Sequence, residues 1–193
     1  KMELVYLLPG ADFRPYAKVM LDQPEVAFRK DWMRNMNDSM DLNRRVTPAD
    51  AQKILSTVGS NTGDLFAEAF TKAGYEVVTA PGADVLRVST GVLNLYVNAP
   101  DTMSPGVTRT FTTNAGEATL VIELRDSLTN ALLARVLDRR ETQGLPGASN
   151  SVTNLAEFRS LAKQWAGIST KGLVALKAAS PIPDPLTPGQ KLD

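Results

Sequence analysis

Acid/base chemistry in this chain must fall to carboxylates, because its 193 residues contain no histidine and no cysteine, the side chains most used near neutral pH. Asp126, Asp138, Arg139 and Arg140 lie at or near one strand-turn-strand segment. Two carboxylates held there beside a guanidinium could divide the roles of general acid and general base. The same residues carry a stronger structural reading. Asp126 before Ser127 is turn chemistry, since a short acceptor side chain captures the amides that follow it. Consecutive Arg139 and Arg140 point to opposite sides of a strand, so at least one is solvated. No catalytic residue is assigned, and Asp126, Asp138 and Arg139 stand as candidate ligand-binding residues.

The remaining reactive patterns fail on their own requirements. Ser160-Leu161-Ala162-Lys163 matches the S-x-x-K of penicillin-recognising enzymes, but this serine falls inside a helix, and neither S-D-N nor K-T-G occurs. Asn37, Ser39, Asp41 and Asn43 alternate like calcium-loop ligands, yet Leu42 stands where the loop needs glycine and Pro48 where it needs glutamate. Gly59-Ser60-Asn61-Thr62-Gly63 resembles a phosphate cradle without the preceding strand or the following lysine, and it reads as a helix break. Trp32 and Trp165 read as core anchors. No metal and no cofactor is expected.

Composition bounds the partners. Lys+Arg and Asp+Glu each total 21, and each half of the chain is close to neutral, so a broad nucleic-acid surface is not expected. The longest apolar runs, such as Leu4 to Leu8, fall far short of the roughly 20 residues a membrane span needs. A chain of this length buries about 70% of its unfolded surface without staples.

Positioning elements follow from the patterning. Residues 1–32 read as one extended strand broken at Pro24 and lying near a sheet edge, and 35–45 as a loop. Thr47-Pro48-Ala49-Asp50 is a helix start, with the helix running to about Val58. A second helix is capped near Asn61 and stops at Ala73-Gly74. Residues 75–79 form a short strand, and 84–97 a long one whose apolar phase changes around Gly91, as a bulge would produce. Glu117 to Glu141 alternates as a hairpin. Matching its apolar faces requires an odd loop, met by Leu128-Thr129-Asn130 with Asn130 left-handed, which sets Ile122 against Val136 and Leu124 against Ala134. A helix beginning at Ser151 or Thr153 carries Leu155, Phe158, Leu161, Ala162, Trp165 and Ile168, ends near Gly172, and leaves Leu173 to Ala178 as further turns. Residues 181–193 form a Pro-rich tail, in which Ile182 and Leu186 are expected to pack on the domain or on a neighbouring copy. The expected fold is a single two-layer α+β domain over 1–180, a mainly antiparallel sheet covered by about three helices.

Pro9-Gly10-Ala11-Asp12-Phe13 with Tyr16, Val19 to Asp22, Val26 to Phe28 and Asp31-Trp32 resemble the start of a bacterial lipoprotein family, domain of unknown function 3313. Asp126-Ser127-Leu128-Thr129 and Arg135 to Arg140 are similar to that family's hairpin, and Phe158 to Trp165 to its closing helix. The resemblance spans about residues 9–170. It implies a Gram-negative envelope protein on the periplasmic side, anchored to the outer membrane by a lipidated cysteine upstream of residue 1. On that basis the expected function is a non-catalytic scaffold or adaptor in an envelope assembly, with envelope proteins or a second copy as partners and membrane contact only through the lipid. The alternative is a carboxylate-based hydrolase or a small-ligand-binding protein of the periplasm.

Overall fold

The computed structural model describes residues 2–38, 45–97, 110–111, 114–143, 148–149 and 151–186. The strands are β1 (Leu4–Leu7), β2 (Lys18–Leu21), β3 (Glu25–Phe28), β4 (Glu76–Val77), β5 (Val85–Val97), β6 (Thr110–Phe111), β7 (Asn114–Asp126), β8 (Leu132–Gln143) and β9 (Ala148–Ser149). The helices are α1 (Trp32–Asp38), α2 (Pro48–Lys72) and α3 (Ser151–Ala178). Seven strands form an open sheet in the order β1-β8-β7-β5-β2-β4, with β3 also on β5. The β1, β8, β7 and β5 neighbours are antiparallel, whereas β2 and β3 join β5 in parallel and β4 joins β2 in parallel. The fold is therefore α+β with a mixed sheet, and β6 and β9 pair separately.

The hairpin register is the one the alternation predicts: Ile122 faces Val136 and Leu124 faces Ala134. Asn130 is left-handed, with φ of 60°. The turn is one residue longer than expected, since the Asp126 amide donates to the Ala131 carbonyl. A register shift after Leu124 absorbs the extra residue, and it leaves the adjacent Leu133 and Ala134 both buried.

The N-terminal segment divides differently from the expectation. β2 and β3 do lie end to end along β5, from Lys18 opposite Val85 to Phe28 opposite Leu95, with the break at Pro24. Residues 4–7 instead cross to the far edge and pair with β8. The phase change in β5 falls between Leu93 and Tyr96 rather than at Gly91. Leu86, Val88, Thr90 and Val92 keep one buried parity until Asn94, with φ of 52°, takes the left-handed step that asparagine tolerates. Opposite this bulge a Cβ on Gly116 would stand 2.1 Å from the Tyr96 carbonyl oxygen, so only glycine fits.

Two helical expectations are corrected. α2 is one continuous helix of 25 residues, not two. Its N-terminus carries the expected capping box of Thr47 and Asp50, and Gly74 ends it with φ of 94°. The polar stretch that reads as a break is absorbed within the helix, because Thr62 and Asn61 donate back to the Val58 and Thr57 carbonyls. Gly59 and Gly63, one turn apart, form the shallow face on which Pro24 and Val26 sit. Residues 35–38 belong to α1, not to a loop. That short helix is held by tertiary packing, with Trp32 and Met36 buried against Val46 and Ala51 and Phe28 stacked on Trp32 at 3.9 Å.

α2 and α3 pack on each other and cover one face of the sheet. Phe66, Phe70, Leu161, Trp165 and Leu173 meet Leu86, Val92, Leu120 and Ile122 in one core. Ile182, 2% exposed, enters that core, and its amide and carbonyl bond to Ala11 and Gly10 at 2.8 Å. Leu186 is 42% exposed. It does not share that packing.

Candidate functional site

Cross-strand rows on the covered face place the candidate residues. Leu7, Ala134, Leu124, Val88 and Leu21 form one row, and Val5, Val136, Ile122 and Thr90 the next. The row beyond is Asp138, Leu120 and Val92, whereas Asp126 lies at the other end of the sheet, opposite Leu86. Six residues of β7 therefore separate the two carboxylates, about 20 Å at 3.3 Å per residue. The structure does not bring Asp126 and Asp138 into one site.

Asp126 organises the hairpin turn. It accepts hydrogen bonds from the Leu128 and Thr129 amides at 2.9 and 2.8 Å, and from the Tyr16 hydroxyl at 2.7 Å. The Thr129 amide first, and then the Tyr16 hydroxyl, hold its carboxyl below the usual range. Burial first, and then that bond to Asp126, pushes the Tyr16 phenol up. This is a latch between the N-terminal segment and the hairpin.

Asp138 is 3% exposed, and a carboxylate taken out of water needs its lone pairs filled. It receives the Trp165 indole N–H at 2.7 Å, the Arg140 Nε at 2.7 Å and the Glu3 amide at 3.0 Å. It thus ties α3, β8 and the start of β1 together. Arg139 points to the other face, where its guanidinium is 62% exposed and meets Glu117 at 3.1 Å. With Glu3, Arg140 and Glu141, Asp138 and Arg139 border a shallow depression of about 500 Å³. Glu3, Asp138, Arg139 and Arg140 are each engaged in holding the fold. A readable signal for Asp138 was its parity, since it continues the core-facing series of Ala134 and Val136.

Of the other patterned residues, Ser160 and Lys163 are exposed along α3. Asn37 pins α1 to the chain before α2 through two bonds to the Val46 backbone. Ser39, Asp41 and Asn43 lie outside the described residues. Among the described residues no acidic cluster able to hold a metal occurs, and no helix is long and apolar enough to cross a membrane.

The larger feature is one the sequence does not announce. A cavity of about 610 Å³ lies between α3 and the two inner rows of the sheet, floored by Val88, Ile122, Leu124 and Val136 and roofed by Leu173 and Leu176. Val5 and Leu7 of β1 form its outer wall, and Glu3, Ser169 and Lys171 supply its charged and hydroxyl groups. Its walls come from β1, β5, β7, β8, α2 and α3, so no local motif could reveal it.

β1 itself is the sheet's edge on that side. Its residues Leu4, Val5 and Tyr6, and Leu8 just after it, are 44%, 45%, 56% and 45% exposed. The sheet face away from the helices is largely a lattice of ion pairs. Glu123 joins Arg125 and Arg135, Glu117 joins Arg29 and Arg139, and Asp22 joins Arg87. The Arg125 hydrogen bond, with that of Arg135 behind it, holds Glu123 low despite partial burial, and Arg29 followed by Arg139 does the same for Glu117.

A family model described as a protein of unknown function (DUF3313) matches residues 1–168. No curated protein matches the chain. Among solved structures it is similar to the PelC dodecamer from Paraburkholderia phytofirmans, with 14% identity over 85% of this chain and 96% of that one and a TM-score of 0.42. It is similar to XCC0632 from Xanthomonas campestris, with 16% identity over 86% of each chain and a TM-score of 0.43. It is also similar to a putative neuraminyllactose-binding hemagglutinin homolog from Helicobacter pylori, with 11% identity over 89% and 92% and a TM-score of 0.45.

Proposed function

Given that the chain belongs to the DUF3313 family of proteins of unknown function, we propose that it is a non-catalytic interaction domain, a scaffold or adaptor in an assembly of the bacterial envelope. In this reading it faces the periplasm and is held at the outer membrane by a lipidated cysteine upstream of these residues. The observation that carries it is the open edge at β1, where a strand of apolar residues is presented to solvent, a ready template for pairing with another chain. The separation of the carboxylates also supports it, because Asp126 and Asp138 each serve a structural contact. Sedimentation of the full-length protein solubilised from native envelopes tests the proposal. A particle heavier than the single chain, built with another envelope protein or with a second copy, is expected; recovery of the monomer alone would contradict it.

One observation favours a second reading, binding of a small apolar ligand. The cavity of about 610 Å³ lies within the range of ligand pockets, which are mostly apolar with a few polar groups. An environment-sensitive apolar dye should then bind stoichiometrically, and Ala175→Trp, which places an indole into the cavity lining, should block it.

A further inference from the structure

We infer that β1 pairs antiparallel with β1 of a second copy of this chain, across a two-fold axis at Tyr6, so that two sheets become one. The inference rests on the reading of the domain as an interaction module and names its partner.

Backbone direction decides the register. The Leu8 amide donates to the Leu133 carbonyl at 2.9 Å, and β1 pairs with β8 in unbroken register from Leu4 opposite Leu137 to Leu7 opposite Ala134. Because strand groups alternate in direction, Leu4 and Tyr6 turn their amides and carbonyls to β8, as Leu8 turns its amide, while the Leu8 carbonyl accepts from the Ala11 amide at 3.2 Å. Those of Val5 and Leu7 point out of the sheet. A second β1 related by a two-fold axis can meet them in three ways. Centred on Val5, the pairing sets Leu7 against Glu3, whose amide already donates to Asp138. Centred on Leu7, it sets Val5 against Pro9, which has no N–H. Centred on Tyr6, it sets Val5 against Leu7 twice over and forms four backbone hydrogen bonds between the copies.

Side chains agree with that third register. On one face Tyr6 meets Tyr6 and Leu4 meets Leu8, all 44–56% exposed in the single chain. On the other, Val5 meets Leu7 along the outer wall of the cavity. β1 itself carries no charge that would repel its copy. The neighbouring Arg135 is occupied by Glu123 at 2.6 Å, and Glu3 accepts from the Arg139 amide. The strands at the other side of the sheet have what β1 lacks: β4 is two residues long, and β3 carries Glu25 and follows Pro24, devices that discourage edge pairing. Five residues from each copy form a small contact beside the roughly 1,200–2,000 Å² of a stable interface. The pairing is thus a concentration-dependent equilibrium.

The absence of cysteine makes the register directly readable. In Tyr6→Cys the two thiols face each other across a non-hydrogen-bonded pair, within disulfide reach, whereas Val5→Cys faces Leu7 and Leu128→Cys lies at the distant hairpin tip. Under mild oxidation Tyr6→Cys should form a covalent dimer at least tenfold faster than either. Sedimentation velocity of the 193-residue chain should show a reversible shift from 20.8 kDa to twice that mass as concentration rises into the millimolar range. Tyr6→Glu, which gains Arg135 as a neighbour but opposes itself in the dimer, should remain monomeric with its melting temperature kept. An equimolar mixture of Tyr6→Glu and Tyr6→Lys should associate again. A chain monomeric at every concentration, or equal cross-linking at residues 6 and 128, overturns the inference. If that happens while a second envelope protein still co-sediments from native envelopes, the adaptor reading stands without it.

Discussion

A carboxylate at 3% exposure is tolerable only while its donors stay in place, and Asp138 has three. Asp138→Ala removes the acceptor from a buried indole N–H and from a guanidinium that is one-quarter exposed, and is expected to cost about 3–5 kcal/mol in urea unfolding. Trp165→Phe should cost less than a full truncation of the tryptophan, since the ring packing partly survives. The double variant should lose clearly less than the sum, because the two side chains share one bond. A loss under about 1 kcal/mol for Asp138→Ala, the level of a surface change, would show that the carboxylate is not structural and would reopen a ligand role for it.

The β7–β8 hairpin is the element on which the rest of the sheet depends. Ile122 is 3% exposed and faces the helices, so Ile122→Asp buries an unpaired charge and should cost several kcal/mol, with a collapse of the unfolding midpoint. Glu123, on the opposite face, pairs with Arg125 and Arg135 at the surface, so Glu123→Ala should stay within about 1 kcal/mol. Similar midpoints for the two would contradict the register. This register was readable in advance because strand alternation has period two and one left-handed position suited Asn130. The capping box of α2 was readable for the same local reason. Other elements were not. Gly59 to Gly63 has the composition of a break, and only the Pro24-Val26 segment that sits on it explains why the helix continues. The run Leu4 to Leu8 has no alternation from which to choose a partner, so its passage to the edge beside β8 could not be told from the extended chain that follows. The burial of Asp138 showed in its parity, but its partner Trp165 lies 27 residues away and no spacing rule connects them.

For the molecule as a whole, carboxylates held by ion pairs and by hydrogen bonds set the response to acid. Glu117, Glu123 and Asp126 all titrate lower in the fold than their ordinary values of 4.5 and 3.8. The unfolded chain therefore binds their protons first as pH falls. The stabilisation is whole above those ordinary values and is lost as pH drops through the lower folded ones. Melting temperature should be level from pH 7 to about pH 5 and fall steadily below pH 4.5; a level profile down to pH 3 would contradict these assignments. Removing residues 181–193 should also destabilise the domain, by about 1.5–3 kcal/mol for the burial of Ile182, whereas Leu186→Ala, at an exposed position, should be silent. Unchanged stability of the truncated chain would show that Ile182 is not part of the core. What the fold offers its surroundings is the edge at β1, and the amides of Val5 and Leu7 report on it directly. Hydrogen exchange of those two amides, compared between the full-length protein in isolated envelopes and the dilute purified chain, should show strong protection in the envelopes and rapid exchange in the dilute chain. Equally rapid exchange in both would mean that nothing docks on this edge where the protein works, and the interaction role would fall.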